Sequence, residues 1–243
     1  MQKGITIAIA IVLAIFIGGI IVIYSSIGSV ISDSIVNRGT QITQTAVTLD
    51  AVDYSTSTGL ATLTNLKVAN PSGFKSKYAL NFSRVDIWID PETLSKEKVL
   101  IKALTLVAPE ITYEISDTTD NLRTLKSYIE ASIRRALSAG PDKKFIIENY
   151  IVENGVVVVE SADLKGARKT AKLANIRLTN IGQSEGGLRA EQLTQQLLLP
   201  LLRETTLAAL NTDLPLTDQA RNILNGAADE TEKAIQLFKN LIN

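Results

Sequence analysis

Histidine and cysteine are missing from this chain of 243 residues, and methionine and tryptophan occur once each. Without His or Cys, a Ser-His-Asp triad, a Cys nucleophile, an ordinary zinc site and a His- or Cys-ligated haem are excluded. No disulfide can form, and a cysteine-free chain is tolerated in any redox compartment. An excess of charge is missing too, since 25 Lys+Arg stand against 25 Asp+Glu. Nucleic-acid binders normally carry a basic excess, so that class is disfavoured. A scaffold, a binder, or an enzyme restricted to carboxylate, Lys, Ser, Thr or Tyr chemistry remains. No metal, cofactor or catalytic residue is expected.

Charge is also missing locally. Between Lys3 and Asp33 no charged residue occurs, and residues 5–24 read ITIAIAIVLAIFIGGIIVIY. Twenty residues at about 1.5 Å each match the roughly 30 Å of a bilayer's hydrocarbon core. Thirteen of the twenty are Ile, Val, Leu or Phe, which favours insertion by about −4 to −8 kcal/mol. A cleaved secretory signal is the alternative, but its apolar region would be shorter and would end at a small-x-small site. The expectation is an anchor over 1–28 with a cytoplasmic N-terminus, set by Lys3, and a body in the periplasm. The body has no polybasic patch for anionic lipid head groups.

Beyond the anchor, Ile27, Ile31 and Ile35 recur every four residues, predicting a helical linker over 29–44 that stops at Gly39. Alternating apolar positions then predict strands over 45–54, 60–69, 80–90, 99–107, 111–115 and 171–181, broken by Pro71, Pro91 and Pro109. Residues 145–153 and 156–161 flank Asn154-Gly155, a strong hairpin signal. A helix is expected at 120–139, apolar at Leu122, Leu125, Ile129, Ile133 and Leu137 and stopped by Gly140-Pro141. Two more are expected over 188–210, with a kink or break at Pro200, and over 217–242, with Thr217 as N-cap. This predicts an α+β protein: a curved antiparallel sheet over 45–185 with one inserted helix, then a helical region over 186–243. Residues 99–107 and 156–159 are apolar on both sides, so both sheet faces are expected to be covered.

Several residue pairs could carry chemistry. Ser72-x-x-Lys75 and Ser95-x-x-Lys98 have the spacing of Ser/Lys hydrolases, but both fall in expected loops. Asp86 with Asp90, and Glu110 with Glu114, could share a strand face, where carboxylates usually meet solvent. Trp88 points opposite to the Ile87/Ile89 side, as a packing residue or a membrane-interface anchor.

Residues 59–74 run Gly-x-Ala-x-Leu-x-Asn-Leu-x-Val-x-Asn-Pro-x-Gly-Phe. Val85-Asp86-Ile87-x-Ile89-Asp90, Leu106-Val107-Ala108-Pro109-Glu110-Ile111-x-Tyr113, Ile151-x-x-Asn154-Gly155-x-Val157 and Asn180-Ile181-Gly182 follow. Together with the N-terminal apolar run, this order resembles the AsmA-like bacterial envelope proteins over about residues 1–185. The stretch 70–74 alone also resembles the WHy type of β-sandwich domain. The first resemblance implies an inner-membrane protein with a taco-shaped sheet whose apolar groove binds or helps move phospholipid acyl chains. Under that reading Leu63, Ile87, Ile89, Leu104, Leu106, Ile111, Val157 and Val159 would line the groove. The chain is far shorter than most such proteins, which points to a short module rather than a complete bridge, with a homo-oligomer or an envelope protein as partner. The alternative is a structural or assembly protein that tethers or oligomerises a membrane complex without lipid.

Overall fold

The computed structural model describes residues 29–136, 143–161, 168–213 and 216–242. The anchor expected over 1–28 lies outside the described residues. Among the described residues no helix is long and apolar enough to cross a membrane.

The protein is α+β, with four α-helices and one large mixed sheet among the described residues. In chain order, α1 (Ser29–Thr43) leads into β1 (Val47–Thr48), β2 (Ala51–Tyr54), β3 (Leu60–Ala69), β4 (Tyr78–Ile89) and β5 (Lys98–Ile115). Then come α2 (Asn121–Ala136), β6 (Lys144–Glu153), β7 (Val156–Ser161), β8 (Arg168–Lys172), β9 (Ile176–Ile181) and β10 (Leu188–Arg189). Helices α3 (Ala190–Leu210) and α4 (Asp218–Ile242) end the described chain. The helix α1 runs through Gly39, where a stop was expected. It closes one turn later, with the Thr43 hydroxyl donating to Gly39 O at 2.8 Å and Gln44 in the left-handed region at φ 53°.

The expected antiparallel sheet is corrected in its centre. Strands β1 to β5 do pair antiparallel, but β6 and β7 both run parallel to β5. The cause is α2, which carries the chain back to the end where β5 began, as a crossover between parallel neighbours must.

The Asn154-Gly155 hairpin is also corrected. Strands β6 and β7 do not pair with each other. Val107 faces Glu153 and Glu110 faces Val156, the same offset, so β6 and β7 form one line along β5. Strands β8 and β9 form a second such line, with Val156 opposite Lys172 and Val152 opposite Ile176. Pro109 does not divide β5 either.

Both misreadings have one origin. Asn65 on β3, Ser83 on β4, Ala108 on β5 and Asn154 after β6 lie opposite one another across the sheet. On each strand the inside–outside alternation slips by one residue at this level. Asn65, Ala108 and Asn154 absorb the slip with φ of 53°, 47° and 58°. Gly155 passes so close to Pro109 that a Cβ there would come within 3.0 Å of its Cγ. A second crease runs through Lys102/Ala103 on β5, Glu148/Asn149 on β6 and Asn180 on β9, the last at φ 56°. At the first crease the pairing register is unbroken, so no residue is inserted there; at the second the register of β4 with β5 shifts between Trp88 and Ile89, and an extra residue of that kind bends the strand that carries it.

One face of the sheet carries the core and all four helices contribute to it. Helix α2 starts at Asp120, whose Oδ1 accepts from the Arg123 amide at 2.7 Å, and buries Leu122, Leu125 and Ile129. The side chain of Ile133 and the residue Leu137 lie outside the described set. Helix α3 buries Leu193, Leu197 and Leu201 against β5 to β9 and runs through Pro200 without a break. The expected start at Leu188 is corrected, because Leu188 and Arg189 pair with Phe145 and Lys144 as a strand. Helix α4 is capped by Thr217, whose hydroxyl oxygen accepts from the Ala220 amide at 3.2 Å.

The opposite face is covered only in part, around the ends of β5 and β7, where Thr112, Glu114 and Val158 are buried at 5–6 % exposure; elsewhere it is open, contrary to expectation. Arg84, Trp88, Glu110, Lys172, Arg177 and Thr179 stand exposed there, and Leu100, Val107, Ile146 and Ile151 are half-buried by neighbours within the sheet. Strands that look apolar on both sides here share their outer face with charged cross-strand neighbours, which keep it wet.

Candidate functional site

All eight groove candidates share the core face. Leu63 faces Val85, Ile87 faces Leu104, Leu106 faces Val85 from the other side, and Ile111 lies between Leu80 and Val157. Ile89 pairs with Ile101, and Val159 with Tyr113. Their exposure is 0–1 %. They are brought together as a packed core, not as the lining of an open furrow. Helices α2 and α3 pack against β5 and β7, the strands that carry five of the eight.

The hydrolase pairs are not assembled. Ser72, Lys75, Ser95 and Lys98 are all exposed, and no hydrogen bond joins either serine to its lysine among the described residues. The carboxylates have structural partners. Asp86 accepts from the Thr62 hydroxyl at 2.8 Å and pairs with Arg84 at 2.7 Å. Asp90 caps the turn Pro91–Thr93 by accepting from the Glu92 amide at 3.2 Å. Glu110 is exposed, whereas Glu114 is buried at 6 % exposure. Its carboxylate accepts from the Lys75 amide at 2.7 Å, the Ser76 amide at 2.9 Å and Asn70 Nδ2 at 3.0 Å. Three N–H donors aimed at one carboxylate tie the loop 70–77 to the end of β5.

The concave site with unsatisfied polar groups lies where β5, α2, α3 and α4 meet. Tyr113, Asp120, Arg123, Thr206, Glu230 and Thr231 line it. It leaves about 30 Å³ for water-sized centres. That is room for about two waters, where ligand pockets run to roughly 300–1,000 Å³. Tyr113 and Asp120 are each 1 % exposed, and the Tyr113 hydroxyl and Asp120 Oδ2 have no hydrogen-bond partner. Arg123 Nε stands 3.6 Å from Asp120 Oδ2 and 3.6 Å from Glu230, and its Nη2 donates to Ile223 O at 3.3 Å. Burial lifts the Asp120 carboxyl above its ordinary range, against the Arg123 amide and guanidinium, which pull it down. Burial, then Asp120, pushes the Tyr113 hydroxyl well above its ordinary value.

This cluster was not found from the sequence. Asp120 as the start of a helix and Tyr113 as an alternating position were both legible, but Glu230 joins them from a helix more than a hundred residues further on. Chemically, the cleft can hold ordered water and one titrating carboxyl. It is a clasp between α2 and α4.

No known protein-family model matches the chain, and no curated protein matches it.

Proposed function

We propose that the chain is a membrane-tethered structural module of the bacterial cell envelope. On this reading it sits in the inner membrane with its body in the periplasm, and braces or assembles a protein complex without catalysis and without a lipid ligand of its own. The observation that carries the reading is the filled interior. The eight residues that an AsmA-like groove would offer to acyl chains are closed to solvent at 0–1 % exposure, and α2 and α3 pack against the strands β5 and β7 that carry five of them. The apolar run over 5–24 supports the tether.

The AsmA-like reading, in which the chain binds or helps move phospholipid acyl chains, rests on a different observation. All eight residues do form one continuous apolar surface on one sheet face. For lipid to reach it, α3 would have to leave Leu193, Leu197 and Leu201 exposed.

Native mass spectrometry of the full chain, extracted in mild detergent, separates the two. The structural reading expects chain masses free of phospholipid after detergent exchange. A phospholipid retained in fixed stoichiometry through that exchange overturns it and favours lipid handling.

A further inference from the structure

The wet face of the sheet carries two exposed large hydrophobic side chains, Leu60 at 42 % and Trp88 at 45 %. They are not scattered. Leu60 on β3 lies directly opposite Trp88 on β4, and Trp88 lies opposite Ala103 on β5. Leu100 and Ile146, paired across β5 and β6 on the same face, continue the apolar strip at the same end of the sheet.

The indole is held in place. Its Nε1 donates to Thr58 O at 2.9 Å, so its polar edge is satisfied and its ring is fixed. Lys102 Nζ sits 5.2 Å from the ring centroid, a cation over the π face. A fixed, half-exposed tryptophan beside an aliphatic residue and a lysine has the chemistry of the head-group layer. There an amphipathic ring meets ester dipoles and a cation meets phosphate.

The chain outside the described residues identifies the occupant. Only residues 25–28 separate the apolar run ending at Tyr24 from the first residue of α1, Ser29. So short a tether holds the sheet beside the bilayer at high effective concentration, and a small patch suffices to dock. We infer that the Leu60–Trp88 patch, with Lys102, seats in the interfacial layer of the membrane that anchors the chain. This rests on the tethered-module reading, and it deepens that reading by giving the body a fixed orientation against the bilayer.

Trp88 is the chain's single tryptophan, so its fluorescence reports the patch without mutation. The full chain is reconstituted into phosphatidylcholine–phosphatidylglycerol vesicles, with or without bromine on the acyl chains. Carbonate extraction of the same vesicles tests the anchor separately. The expected result is a chain that resists extraction and loses most of its Trp88 emission in brominated vesicles. Leu60→Ser, at an exposed position, and Lys102→Glu, at a half-buried one, are expected to restore emission while leaving extraction resistance unchanged. A chain that resists extraction but shows no bromine quenching, with emission open to aqueous iodide, overturns the docking and leaves the tether standing. Emission shielded from both quenchers also overturns it, and points to a protein or a second copy on the patch. A chain removed by carbonate overturns the tethered-module reading itself.

Discussion

Tyr113 and Asp120 meet in one cleft, where neither the Tyr113 hydroxyl nor Asp120 Oδ2 has a hydrogen-bond partner and Arg123 Nε stands 3.6 Å from that Oδ2. Burial is the largest influence on both, and it raises both. The carboxyl therefore holds its proton more tightly in the folded chain than in the unfolded one. The stability this confers is fully present below about pH 4, the unfolded value, and is lost as pH rises through the raised folded value. Asp120→Asn keeps an oxygen for the Arg123 amide and removes the titration. The expected outcome is a flatter stability profile between pH 4 and neutrality, with stability at pH 7 equal to or above that of the parent. Urea unfolding across that range measures it. A profile as steep as the parent's would assign the titration elsewhere.

Glu114 bears on a different contact. Its carboxylate carries three N–H donors from the loop 70–77 at a site almost closed to water. Removing it leaves two partly buried amides without an acceptor, at a cost of up to about 1–3 kcal/mol for each lost group. Glu114→Ala is expected to lower unfolding stability by about 2–4 kcal/mol. Hydrogen exchange should locate the loss, with the Lys75 and Ser76 amides deprotected first. Glu114→Gln, which keeps one acceptor oxygen, should lose less.

Tyr150 stands at 0 % exposure with its hydroxyl unpartnered, and burial raises that hydroxyl well above its ordinary value. The folded chain therefore keeps the phenol neutral where the unfolded chain ionises. Stability present below about pH 10 is lost as pH rises beyond that. Tyr150→Phe removes an unsatisfied polar atom at nearly constant volume. A gain of about 1 kcal/mol at neutral pH is expected, together with an alkaline unfolding midpoint moved upward. A loss of stability would mean that the hydroxyl has a partner in solution.

The sequence made individual strands legible because period-two alternation survives wherever one face is buried, as in Leu60–Ala69, whose bounds match the expected ones. The cap at Thr217 was legible too, since it acts within one turn of itself. What could not be read was the meaning of the irregularities. Pro109 and Asn154-Gly155 each look like a chain reversal when seen on one strand. Only the pairing shows that they sit opposite one another at a shared crease. The same limit applies to strand direction, because nothing local in α2 says to which end it returns the chain. The groove residues show the converse. Their shared face was readable from alternation, but whether lipid or helix covers it depends on α3, which arrives from Ala190 onward.

The crease makes one further test possible, at Ala108. Its φ of 47° is a left-handed conformation that costs an alanine roughly 1–2 kcal/mol. Glycine adopts it freely but gives up about 0.5–1 kcal/mol of chain entropy on folding. The first effect is the larger, so Ala108→Gly is expected to leave stability unchanged or raise it by up to about 1 kcal/mol. Ala103 lies on the same strand, half-buried and without a positive φ. There the same substitution meets only the entropy cost, and stability should fall by about 0.5–1 kcal/mol. Thermal or urea unfolding of the two variants side by side decides the matter. Equal losses at both positions would mean that β5 passes straight through Ala108, and the alternation of Val107 and Pro109 would then need another cause.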